Sequence, residues 1–144
     1  MLASFVETFS AMRRLLRPSL ALLLCPIAAA SAADGAATDP GRALFQTSCV
    51  ACHRADGTGA GRMGPALVGS PAVSGPPAPL IDIVLRGSRA ELPKDRPRYG
   101  IAMPGFAKLD DRQVADLVSF LRSAFGDGAA PVTPEQVAAV RGRR

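Results

Sequence analysis

Hydrophobic positions along this chain form one long apolar block near the start and several short helical stripes further on. The clearest stripe is Val114, Leu117, Val118 and Leu121, an i, i+3, i+4, i+7 series. It predicts an amphipathic helix opened by Asp110 and ended by Gly126. Asp39-Pro40 predicts a second helix start, with Asp as N-cap and Pro in the first turn. That helix runs toward Cys49 and carries Gly41 and Phe45 one turn apart on one face. A short helix over Leu80 to Arg86 stops at Gly87, and Thr133-Pro134-Glu135-Gln136 makes a capping box before a terminal turn through Val140. No segment alternates apolar and polar residues in the manner of a strand, so the expected fold class is all-α.

The apolar block, Leu20 to Ala33, follows Arg13, Arg14 and Arg17 and ends in small residues, with Ala30-Ser31-Ala32 in the small-x-small form of a signal-peptidase site. This predicts a Sec-type signal peptide over residues 1–32, a linker over 33–38, and export to a bacterial periplasm. A retained anchor is the competing reading. The block is shorter than the about 20 apolar residues that span a bilayer and contains Pro26, which disfavours it; membrane association follows only if the segment stays. Cys25 follows leucines rather than the small residues of a lipidation site, Arg13-Arg14 resembles a twin-arginine signal only faintly, and Met12 is an alternative start.

Charge changes the picture once the leader is set aside. The full chain has 17 basic and 12 acidic residues, a net of +5. The leader carries three arginines and one glutamate, so the remainder has a net of +3. All of that surplus equals what lies between Arg86 and Arg98, where Arg86, Arg89, Lys94, Arg96 and Arg98 face only Glu91 and Asp95. Such a modest excess does not support nucleic-acid binding. The stretch is read as steering an acidic partner, as pairing with a cofactor carboxylate (a part Tyr99 also suits), or as an ordinary solvated loop. Aromatic residues are sparse, at 5%, so either the domain is marginal or something other than side chains fills its centre.

The candidate chemistry sits at Cys49-Val50-Ala51-Cys52-His53. Cys-x-x-Cys-His is the attachment signature of c-type haem. Two thiols three residues apart reach the two vinyl groups on one porphyrin edge, and the adjacent histidine places Nε2 on the iron. A thioredoxin-type pair needs a strand before it and a helix after it, a zinc site needs four ligands, and a disulfide across this spacing leaves His53 unexplained. The series Gly57-Thr58-Gly59-Ala60-Gly61 follows no predicted strand and opens no helix, so it is not a dinucleotide loop. It is read instead as backbone passing close to a flat ring. Gly64-Pro65 closes this loop, and a carbonyl there is suited to accept the His53 Nδ1–H.

Two methionines compete for the far side of the iron. Met63 lies only ten residues past His53 in the same loop, whereas Met103 stands in Ala102-Met103-Pro104-Gly105-Phe106, where Pro104 favours an extended presentation. Met103 is the expected axial ligand, with a core methionine as the alternative.

Taken together, these residues resemble a class I c-type cytochrome from Asp39 to about Gly126. Gly41, Phe45, Cys49, Cys52, His53, Pro65, Met103 and the Asp110 helix follow the family's order. The resemblance implies three to five short helices around one covalent haem, residues 39–126 as the haem domain and 127–144 as an extension. It also implies that the first-helix Gly and aromatic pack on Phe120. Tyr99 to Phe106, with Pro131 to Arg141, is similar to the haem domains of cytochrome subunits serving periplasmic dehydrogenases, which often carry several haems where this chain has one motif. The cofactor-binding set is therefore Cys49, Cys52, His53, Pro65, Tyr99 and Met103, with His53 and Met103 on the metal, in a pocket of Phe45, Leu67, Leu85, Phe106, Leu117 and Phe120. The implied function is one-electron transfer from a dehydrogenase to a respiratory-chain acceptor, without enzymatic turnover. The alternatives are a ligand-binding or peroxidase-like haem protein with a labile distal position, and an anchored subunit of a dehydrogenase complex.

Overall fold

The structure, a computed structural model, describes residues 39–90 and 97–143. The signal peptide and linker expected over 1–38, and Glu91, Lys94, Asp95 and Arg96 of the basic stretch, lie outside the described residues. Among the described residues, six helices run in the order α1 (Pro40–Ser48), α2 (Val50–His53), α3 (Pro71–Ser74), α4 (Pro77–Arg86), α5 (Asp111–Phe125) and α6 (Pro134–Arg141). A single 3-10 turn, Gly87–Arg89, follows α4. No strand occurs among the described residues, so the all-α expectation holds. None of the described helices is long and apolar enough to cross a membrane.

The four multi-turn helices are those that the sequence predicts, and their caps explain their positions. Asp39 accepts from the backbone N–H of Gly41 and Arg42 at 3.0 and 3.2 Å. Asp110 accepts from Gln113 N–H at 2.8 Å while the Gln113 side chain returns to Asp110 N–H at 3.0 Å. The Thr133–Gln136 box is also formed. Helix α4 begins at Pro77, one turn earlier than its apolar run suggests, because Pro77 opens the first turn without needing an N–H partner.

Helices α1 and α5 cross closely enough that the crossing admits only a glycine. A Cβ on Gly41 would collide with the Asp116 carbonyl oxygen and come within 2.8 Å of Phe120 Cβ. Beside the crossing, Phe45 packs against Phe120 at 5.4 Å between centroids, as the resemblance implies, and against Phe125 at 5.3 Å. Phe125 stands one turn beyond Leu121 on the same stripe of α5. Arg122 is buried without a carboxylate partner; its guanidinium donates to the carbonyls of Ala130, Val73 and Gly75 at 2.7 to 3.0 Å. That spreads its charge over three dipoles and ties α3 to α5.

Packing continues past Gly126. Val132, Val137 and Val140 are buried, and Ser119 and Val132 exchange hydrogen bonds of 2.9 and 3.2 Å. Helix α6 thus rests on α4 and α5 as part of the same compact unit.

Candidate functional site

The core is open on one side to a cleft of about 630 Å³, counting its mouth. Its walls come from five of the six described helices and the segments between them: Phe45 and Cys49, His53, the 65–73 segment, α4, Met103 with Phe106, and α5. Helix α4 presents Leu80, Ile83 and Val84 to it, an i, i+3, i+4 face, and α5 presents Leu117 and Leu121. Its polar lining is confined to His53, Ser70, the Cys49 thiol and backbone.

The near side is built by local geometry. His53 ends α2 and is buried. The chain then reverses at Arg54, whose φ of 64° and ψ of 157° fall in a region that residues with a side chain rarely occupy. Gly59 N–H and Ala60 N–H return to the carbonyls of His53 and Cys52 at 3.0 and 3.1 Å. This closed loop brings the Pro65 carbonyl to 3.0 Å from His53 Nδ1. A carbonyl only accepts, so Nδ1 carries the proton, and in the neutral ring Nε2 is the nitrogen with the lone pair. The expectation for Pro65 therefore has its geometric basis. In the glycine-rich loop a Cβ on Gly57 would strike the Phe125 ring and one on Gly59 would lie 2.7 Å from Ala66 N, so the loop packs closely both on the aromatic knot and on the Pro65–Ala66 backbone that lines the cleft.

Burial pushes the Cys49 thiol up to about 11, with Cys52 adding to the rise. Cys52 is half-buried and does not line the cleft.

The far side is built by distant partners. Met103 is half-buried and reaches the cleft, whereas Met63 is 43% exposed and does not line it. Met103 exchanges two hydrogen bonds with Ser88: its N–H donates to Ser88 Oγ at 2.8 Å, and its carbonyl accepts from Ser88 N–H at 3.0 Å. This approach depends on Gly87, which has φ of 62°, and whose Cβ, if present, would collide with the Met103 carbonyl and lie 2.6 Å from Pro104 C.

Of the six expected site residues, Cys49, His53, Pro65 and Met103 line the cleft and Cys52 and Tyr99 do not. Of the six expected wall residues, Phe45, Leu67, Phe106 and Leu117 line it. Leu85 and Phe120 are buried elsewhere, Phe120 against α1, and Leu80, Val84 and Leu121 take up the lining. Arg86 is a correction to the basic stretch. It pairs with Asp82 at 2.8 Å and donates to the carbonyls of Val140 and Arg143 at 3.3 and 2.7 Å, so it is not free to steer a partner. Arg89 and Arg98 are exposed.

Two cysteines three residues apart beside an imidazole, at the edge of an apolar cleft, fit a flat, iron-bearing macrocycle attached through sulfur, in a helical electron-transfer domain. The chain belongs to the cytochrome c family, whose model matches residues 38–125, more than half of its length. A cytochrome c domain holds haem c covalently and transfers electrons rather than transforming a substrate. Among relatives, the chain is 40% identical over 105 residues to a gluconate 2-dehydrogenase cytochrome c subunit of Pantoea cypripedii, covering 70% of this chain and 24% of that protein. It is 35% identical over 113 residues to an alcohol dehydrogenase (quinone) cytochrome c subunit of Gluconacetobacter polyoxogenes, covering 76% and 24%. Cytochrome c-552 of Thermus thermophilus is 28% identical and is matched over 88% of its own length, which covers 89% of this chain. The chain spans about a quarter of the length of the two dehydrogenase subunits.

Proposed function

We propose that this protein is a periplasmic one-electron carrier in which His53 and Met103 ligate the haem iron from opposite sides. In this reading it takes electrons from a dehydrogenase and passes them to a respiratory-chain acceptor. The observation that carries the ligand assignment is the cleft itself: among the described residues, its walls bring His53, held by Pro65, and Met103, held by Ser88, into one apolar space. The kinship with cytochrome subunits of gluconate and alcohol dehydrogenases supports a dehydrogenase as donor.

Each residue has a defined task. Cys49 and Cys52 are the thioether attachment points. The Pro65 carbonyl holds the Nδ1 proton of His53, which fixes the tautomer and makes Nε2 a better donor. Met103 supplies a soft thioether, and the surrounding Leu80, Val84, Leu117 and Leu121 exclude water. The bound haem supplies a single-electron iron couple. A thioether ligand and an apolar surround both favour its less charged, reduced form, and with both axial positions taken no substrate position remains. Among the described residues, Tyr99 and the exposed Arg89 and Arg98 suit haem carboxylates or an acidic partner.

The test is a spectrum of the oxidised haem protein beside its Met103→Ala variant. A methionine–iron charge-transfer band in the parent, lost in the variant together with a fall in potential, is the expected result. The fall should be a sizeable part of the about 0.8 V that axial ligands span. A high-spin parent that binds CO avidly would overturn the carrier assignment in favour of a ligand-binding or peroxidase-like site. Intact mass of the exported protein reads both leader removal and one haem per chain.

A further inference from the structure

The Met103 segment lies in a long connection between α4 and α5, which opens with the Gly87–Arg89 turn and whose described stretch 97–110 contains no helix or strand. Connections of this length inside a compact domain are uncommon and are usually functional. Its front end is held by Ser88 and its middle by Phe106 N–H on the Val84 carbonyl at 2.9 Å. The rear end is held from an unexpected quarter. Arg141, near the end of α6 and outside the residues matched by the family, turns its guanidinium onto three acceptors at once. Nη1 donates to the Ala107 carbonyl at 2.8 Å, Nη2 to the Leu109 carbonyl at 2.7 Å, and Nε to Asp111 Oδ1 at 2.7 Å. Only a planar fork meets three such acceptors together; a lysine ammonium keeps the ion pair but not the pattern.

Helix α6 is itself well seated. Its Val137 and Val140 are buried, and Arg86 of α4, while paired with Asp82, donates to the carbonyls of Val140 and of Arg143 just beyond the helix. The two arginines therefore work in opposite directions across one corner. Arg86 fastens α6 to the helix that precedes the Met103 connection, and Arg141 fastens the end of that connection to α6. We propose that Arg141 is a positioning residue for the distal methionine: the C-terminal helix acts as a strap that keeps Met103 on the iron and slows its replacement by outside ligands. This rests on the assignment of Met103 as axial ligand.

The experiment uses the full-length, haem-loaded protein and its Arg141→Gln and Arg141→Lys variants. Arg112→Ala serves as control, because Arg112 pairs only with Asp116 on the exposed face of α5. Imidazole is titrated into each oxidised protein while the methionine–iron band is followed, and thermal unfolding is recorded separately. Arg141→Gln should bind imidazole roughly tenfold more tightly, the shift expected when a closed segment loses one or two net hydrogen bonds. Arg141→Lys should fall between parent and Gln variant, and Arg112→Ala should match the parent. Should the Gln variant fail to fold, the Lys variant carries the comparison alone. Unchanged imidazole affinity at Arg141, with the band present, overturns the strap even if thermal stability drops, since that is what a purely structural contact would do. A parent without the band overturns the ligand assignment and the strap with it, a result visible before any variant is made.

Discussion

The two sides of the cleft are held by different kinds of contact. His53 is positioned mainly by hydrogen bonds within the continuous stretch Phe45 to Val68; one further bond, Gly100 N–H on the Arg62 carbonyl at 2.8 Å, joins that stretch to the distal connection. Met103 is positioned by Ser88, Val84 and, through Ala107 and Leu109, by Arg141, all at least fifteen residues away in sequence. A local loop has little closure entropy left to lose once α2 is formed, whereas the distal segment depends on α4, α5 and α6 having already packed. The near side should therefore yield last and the far side first when the fold is loosened.

The largest perturbation removes the shared support. Phe45 is 2% exposed, lines the cleft and joins α1 to Phe120 and Phe125. Phe45→Ala should cost about 3 to 5 kcal/mol in chemical denaturation, and the distal ligand should be lost at lower denaturant than the proximal one. If both ligands leave together at every concentration, the two sides are one cooperative unit and the contrast fails.

A smaller change separates the sides. Gly87→Ala places a methyl group against the Met103 carbonyl at a backbone angle that alanine disfavours, a cost of roughly 1 to 3 kcal/mol. Most of that should appear as a weakened methionine–iron band and easier imidazole binding. The ring resonances of His53, read by NMR, should stay where they are. An intact distal band beside a shifted His53 would reverse the assignment of which side each loop controls.

What the sequence discloses follows the same division. Cys49, Cys52, His53 and the Pro65 support are legible because spacing along the chain determines their geometry. The ends of α1, α5 and α6 are legible because Asp39, Asp110 and Thr133 cap the backbone that immediately follows them. Met103 is recognised as the better-placed methionine, but nothing in its neighbourhood announces Ser88 or Arg141, whose roles exist only once three helices have met. The wall of the cleft shows the same limit. Leu85 and Phe120 have the right chemistry for it, but a helix that is apolar on two faces does not say which one lines the cleft. On α4 the answer is Leu80, Ile83 and Val84. Helix α3 is four residues long, too short for any periodicity to register, and the burial of Arg122 has no sequence signal at all.

The smallest predicted effect has the opposite sign and tests whether the near side stores strain. Arg54 follows the proximal histidine at φ 64° and ψ 157°, in territory that glycine enters freely and an arginine occupies only when its surroundings compel it. Replacing it by glycine removes a local cost of about 1 to 3 kcal/mol. The freer unfolded chain takes back roughly 0.5 to 1 kcal/mol. Arg54→Gly should thus stabilise the protein by about 1 kcal/mol and raise Tm by roughly 4 to 8 °C for a domain of this size. Because the Gly59, Ala60 and Pro65 contacts bypass the Arg54 side chain, the spectrum and the imidazole affinity should not change. A destabilised variant would show that the turn is relaxed as it stands. A stabilised variant with altered imidazole affinity would show that strain beside His53 reaches the far side, and the two regions would then be coupled through the cofactor rather than separately held.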